Sequence, residues 1–245
     1  EAFFFVNTDI GAPECAAEVA RRLGGGALIL RSRIPRTFID CNRVAQGVAG
    51  VVVDGLTPAT PAYIDDPEDR ALLGEGHRRY HELVSRAYEA ICGAGGLALQ
   101  LHSYAPRSVE IDRIDADIVK NLRWAYTPEV YARWQRRPDV DVICEAMEGP
   151  SPAPQALVAA VIDAYRALGL EVGASATYRL HPATMGYHYA LRYPQRVLCV
   201  EVSRDLVADP FVPFGPSPIS AGKIARMAAP LADALAVALD GAAAG

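Results

Sequence analysis

"LQLHSYAPRS" (residues 99–108) sets a histidine where an apolar run stops and a polar turn begins. The run itself, GLALQLHS (96–103), reads as a buried strand. Six other short runs read the same way: AFFFVNT (2–8), GGALILRS (25–32), TFIDCN (37–42), VDVICEAM (140–147), LEVGASATY (170–178) and RVLCVEVS (196–203). Helical patterns lie between them. Pro13–Leu23 ends at a Gly-Gly-Gly stop, and Asp66–Cys92 opens on the acidic cap DDPEDR. Pro128–Arg137, Gln155–Leu168 and Ala221–Leu239 complete the set, while the Gly-Tyr-His-Tyr segment at 186–189 reads as an irregular loop. Strands alternating with helices predict an α/β fold of three αβα layers around a mainly parallel or mixed sheet, in a single domain over 1–245.

The bulk composition narrows the function. Of 245 residues, 51% are hydrophobic and 22% charged, which suits a protein with a sizeable core. A net charge of −5 and the absence of any Lys/Arg block argue against nucleic acid as a partner. No apolar run approaches the ~20 residues of a membrane span, and EAFFFV is too short and lacks the basic start of a signal peptide. The five cysteines stand singly with no CxxC, which predicts reduced, buried thiols and a cytoplasmic setting.

In open α/β sheets, ligands bind beyond the carboxyl ends of the strands. That rule selects His102 and Ser103; Asn7 and Asp9; Asp40, Asn42 and Arg43; and Glu201 with Arg204 and Asp205. One imidazole, several carboxylates and arginines at strand ends suit a metal-assisted hydrolase acting on an acidic small molecule or peptide. Glu201 is the most telling, because a carboxylate inside VLCVEVS is costly unless paired. Arg192, Arg196 and Arg204 are its candidate structural partners.

Four motifs in order resemble the N-formylglutamate amidohydrolase family over nearly the whole chain. SRIPRTFIDCNR (32–43) resembles its Ser-Arg…Asp-Leu-Asn-Arg signature, and RRYHELV (78–84) its Tyr-His helix start. LHSYAP (101–106) resembles the later zinc-histidine stretch of the zinc carboxypeptidases, and GYHYALRYPQRVLCVEVSRDL (186–206) the family's glycine loop and glutamate strand. The resemblance implies a zinc carboxypeptidase-like fold and a metal-dependent amidohydrolase with zinc, or another divalent metal, as cofactor. It implies His102 as a metal ligand and Glu201 as the acid–base group, and Asp9 is the candidate for a second ligand beside His102. Arg43, helped by Asn42, would grip a substrate carboxylate; Asp40 would orient that arginine, and Arg36 or Arg33 would add an anion contact.

One position departs from the family. Asn7 stands where a histidine is expected, and asparagine is a poor zinc ligand. Glu14, His181 and His188 are the further candidates to complete a ligand set, although Glu14 also reads as an ordinary first-turn acid and Asp9 as a helix cap. His77 and His81 lie one helical turn apart, and flanking Arg78 and Arg79 read that face as solvated. Tyr187 and Tyr189 are candidate donors to an oxyanion. The rival function is a metal-poor member that binds an acidic metabolite or peptide without cleaving it.

Overall fold

The computed structural model of the protein describes residues 1–44, 58–111 and 114–243. Its centre is a four-stranded sheet in the order β1–β4–β2–β3, made of β1 Ala98–Tyr104, β2 Val140–Ile143, β3 Val172–Ala174 and β4 Val197–Ser203. β1 runs parallel to β4 and β2 parallel to β3, while β2 and β4 are antiparallel, so the sheet is mixed.

Alternation along the strands sends Val200 and Val202 to one face and Cys199 and Glu201 to the other. The first face, with Val140, Val142 and Leu198, packs on α2 (Ala12–Arg22), α6 (Gln155–Ala167) and α8 (Ala221–Ala243). Val19, Val161, Tyr165, Met227 and Leu231 come from those helices, and each such burial contributes about 1.5–3 kcal/mol. The buried Tyr165 hydroxyl donates to the Met227 carbonyl at 2.7 Å. On the second face, Val197, Cys199 and Ile143 meet α3 (Pro67–Ile91) and α7 (Met185–Arg192). There the Tyr88 and Tyr189 rings stack 3.9 Å apart. Gly186 permits this approach, since a Cβ there would lie 2.9 Å from Cys199 Sγ.

Three expected strands are not strands. AFFFVN forms the helix α1 (Ala2–Asn7), which packs against α4 (Ile118–Ala125). Residues 27–32 join no sheet, and Leu28 is 60% exposed, so apolarity there did not mean burial. Residues 37–42 turn instead, because the Asp40 carboxylate accepts the Asn42 N–H and local carbonyls take those of Phe38 and Arg43. Conversely, the expected loop at 186–189 lies inside α7, where Thr184 caps the helix and Pro182 and Pro194 flank it. The helix expected over Pro128–Arg137 is only α5, Pro128–Tyr131, and α4 went unanticipated. The three glycines 24–26 after α2 all take positive φ, as the stop signal required. All five cysteines are buried and unpaired, and no described helix is long and apolar enough to cross a membrane.

Candidate active site

Register builds the site. His102 of β1 pairs with Glu201 of β4, and Glu201 pairs in turn with Asp141 of β2. Residues in register share a face, so an imidazole and two carboxylates form one row across the sheet. They lie on the face that α3 and α7 leave uncovered toward the carboxyl end of β1. A cavity of about 400 Å³ opens over His102 and Glu201.

The chain between α1 and α2 lies against the end of β1. The Ser103 hydroxyl donates to the Ile10 carbonyl at 2.7 Å, and His102 Nδ1 donates to Asp9 Oδ2 at 3.2 Å. Asp9 also receives Arg36 Nη1 at 3.3 Å, and Arg36 Nη2 reaches Asp40 at 2.9 Å. Arg43 Nη1 lies 3.4 Å from the same Asp40 oxygen. Arg36 thus bridges two aspartates, and Asp40 orients both arginines.

The electrostatics follow from burial and these pairs. Burial favours the protonated form of Asp9, but Arg36 and then His102 outweigh it and hold the carboxyl below its ordinary range. Burial works against an imidazolium at His102, yet the Asp9 hydrogen bond and the charges of Asp9 and Glu201 raise it. Asp40 foremost keeps Arg36 charged. Glu201 behaves differently. Burial pushes its carboxyl up to about 7, Asp9 adds to the rise, and His102 only partly opposes it. Its Oε2 has no hydrogen-bond partner.

That orphan is one of a set. Among the described residues, the buried side-chain atoms without a partner include Arg36 Nε, Asn42 Oδ1, Arg137 Nε, Glu201 Oε2 and Arg204 Nε. All five of these side chains line the same cavity. Buried polar atoms are normally satisfied, so their concentration around one cavity makes it the candidate place for a polar ligand.

The structure brings together Asp9, Arg36, Asp40, Asn42, Arg43, His102 and Glu201. It leaves Glu14 and Arg33 exposed elsewhere, and His188 exposed on α7. His181 lines the cavity, with its Nδ1 accepting the Ala183 N–H at 3.1 Å. Tyr189 packs in the core under α7. Two arginines complete the walls. Arg204 donates to the carbonyls of Val6 and Ser103, tying α1 to β1. Arg137 was not foreseen. Its guanidinium lies between the rings of Tyr104 and Tyr178, 5.1 and 5.3 Å from their centroids, and donates to the Tyr178 hydroxyl at 2.8 Å.

The helical histidine pair has a role that its arginine neighbours concealed. His77 is buried, and its ring stacks on that of His81 at 4.1 Å. His77 Nε2 donates to the Arg43 carbonyl at 2.9 Å and His81 Nε2 to the Cys41 carbonyl at 3.0 Å. The two rings brace the turn that carries Asn42 and Arg43. From the other side, Met185 N–H donates to the Asn42 carbonyl and Val44 N–H to that of Ala183. Burial, and then His77, push His81 down to about 4, so its imidazole is neutral near pH 7.

The donors do not fit zinc. A catalytic zinc needs three protein ligands converging on one point. No three His, Cys, Asp or Glu side chains do so among the described residues. Asp9, expected as a ligand beside His102, is hydrogen-bonded to that imidazole and ion-paired to Arg36. Asn7, which also lines the cavity, supplies no imidazole.

Fold and site together define an α/β protein with a half-buried histidine and glutamate side by side in an arginine-lined pocket. Comparison with known proteins gives the family. N-formylglutamate amidohydrolase matches residues 2–208, and the chain belongs to that family of amidohydrolases. No curated protein sequence matches it. Among solved structures, it is similar to an N-formylglutamate amidohydrolase from Ralstonia eutropha JMP134, at 18% identity and a TM-score of 0.60. That match covers 97% of this chain and 83% of the other. A gene product of Agrobacterium tumefaciens is similar at 18% identity and a TM-score of 0.58, covering 96% and 79%. At such identities the likeness concerns the fold.

Proposed function

We propose that the protein hydrolyses an amide bond in a small molecule or peptide bearing a carboxylate, with Glu201 as the general base. The observation that carries this reading is the Glu201 carboxyl: in register with His102, with its Oε2 buried and unpaired, and raised to about 7. A base whose pKa lies near the working pH transfers protons in both directions. Glu201 takes a proton from water as the water oxygen bonds to the amide carbon. The C–N bond then breaks, and the same proton passes to the departing nitrogen. His102, whose pKa Asp9 raises, is placed to face the negative charge that develops on the carbonyl oxygen. Arg43 and Asn42 hold the substrate carboxylate through a planar fork, with Asp40 and the two α3 histidines fixing that turn.

The reading is tested by hydrolysis of N-formyl and N-acetyl amino acids, before and after chelation, with metal content measured on the same preparations. The expected result is turnover that survives chelation and falls about 10²–10⁴-fold in Glu201→Gln. Turnover that tracks bound zinc, or that persists in Glu201→Gln, overturns it. A second reading is favoured by Asn7 and the incomplete donor set: a pocket that binds the acidic molecule without cleaving it. Saturable binding with no product in the parent protein would select that reading.

A further inference from the structure

We propose that the molecule taken by this pocket carries an apolar group of several carbons on its amide, lodged in a lobe between α1 and α4. The inference rests on the reading of the pocket as one for a carboxylate-bearing amide. Among the polar groups of the cavity, Asp9, Arg36 and His102 are joined by hydrogen bonds, and Glu201 is in register with His102. Another part of the lining is different in kind. Phe3 and Val6 come from α1, Ile111 and Ile114 from the segment after β1, and Ile118 and Leu122 from α4. None of these six side chains can donate or accept a hydrogen bond. α1 and α4 pack on each other, and all six side chains line the same cavity.

A formyl group has one carbon and leaves this wall facing water. A longer group covers it, and each methylene removed from water should tighten binding about threefold to fourfold. The volume, about 400 Å³, is in the range that encloses a small organic molecule. Arg204 links the two regions. It holds the Val6 carbonyl of α1 and the Ser103 carbonyl of β1, which fixes the apolar wall relative to the His102 row.

The apolar group sits either on the acyl side of the amide or on the amino-acid side, and two ligand series separate these. Dissociation constants are measured on full-length Glu201→Gln protein, so that bound ligand is not consumed. One series is the N-formyl, N-acetyl, N-butanoyl and N-hexanoyl glycines; the other is N-formylglycine, N-formylleucine and N-formylphenylalanine. The expected result is affinity rising about threefold per methylene along one series, with the gain removed in a protein that also carries Ile114→Trp. Its melting temperature verifies that this variant folds. Flat or falling affinity along both series overturns the inference, as does a gain that survives Ile114→Trp. If no ligand binds, N-formylglycine included, the carboxylate-amide reading itself is overturned.

Discussion

Asp141 and Glu201 are neighbours in register on adjacent strands, both acidic and both inside the fold, yet the protein treats them in opposite ways. Asp141 is fully buried and satisfied. Its two oxygens accept the N–H groups of Ala176 and Thr177 at 3.0 and 2.6 Å, pinning the chain that follows β3. Gly173, its partner in the next strand, leaves room for it, since a Cβ there would lie 2.7 Å from Asp141 Oδ1. Glu201 has an oxygen without a partner, a raised carboxyl and an open cavity in front of it. Burial alone therefore does not mark a functional acid. A buried carboxylate with backbone partners holds structure together, and one denied them fits the proton-exchanging role proposed for Glu201.

Replacing each acid should separate the two roles. Asp141→Ala leaves two backbone donors unsatisfied, at about 1–3 kcal/mol each. Its melting temperature should fall by roughly 4 °C or more, at about 2–4 °C per kcal/mol for a chain of this size. Circular dichroism melts check this, and a change below about 2 °C would end the contrast. Glu201→Gln should move the other way. A carboxyl raised in the fold contributes stability that is complete below about 4.5 and is lost as pH rises through about 7. The neutral amide of the Glu201→Gln variant has no such loss, so this protein should melt above the parent at pH 8 by a few degrees while losing turnover. Equal melting temperatures at pH 8 would mean that the charge is not costly there.

A smaller effect is expected at the histidine brace. His81→Phe keeps the stacking but removes the donor to the Cys41 carbonyl, so the turn carrying Arg43 should loosen. Carboxylate binding should weaken about fivefold, the order of one neutral hydrogen bond. His81→Gln, which retains a donor, should recover part of it, and deuterium uptake across 38–44 should follow the same order. A purely structural histidine would lower the melting temperature without that ranking. The brace also has a pH signature. Because His81 is pushed down to about 4, its stabilisation is present above about 6.5 and lost as pH falls through about 4. His81→Gln should flatten that acid limb.

Much of this was legible in the sequence, unevenly. β1 and β4 stood out because an apolar run around a lone His or Glu has few explanations, and α3 because it carries its cap in plain view at Asp66. AFFFVN and GGALILRS misled because a short apolar run fits a strand, a packed helix or an exposed segment equally well. TFIDCN misled because Asp40 bonds its own backbone, a competition invisible to periodicity. In the site, Arg36, Asp40, Asn42 and Arg43 were visible together since they lie within eight residues of one another. Arg137 and Tyr178 were not, as they lie 41 residues apart and meet only in the fold, where Asp141 holds the chain just before Tyr178. The i,i+4 spacing of His77 and His81 was visible, but nothing in it pointed to the carbonyls of Cys41 and Arg43.

The most direct test is the titration of Glu201 itself, followed by carbon-13 NMR of the protein labelled at its glutamate carboxyls. Comparison with Glu201→Gln assigns the resonance. A midpoint near 7 is the predicted result, and it requires neither a substrate nor a metal. A midpoint in the ordinary glutamate range, about 4.3, would contradict the account, because Glu201 would then be an ion-paired acid like any other.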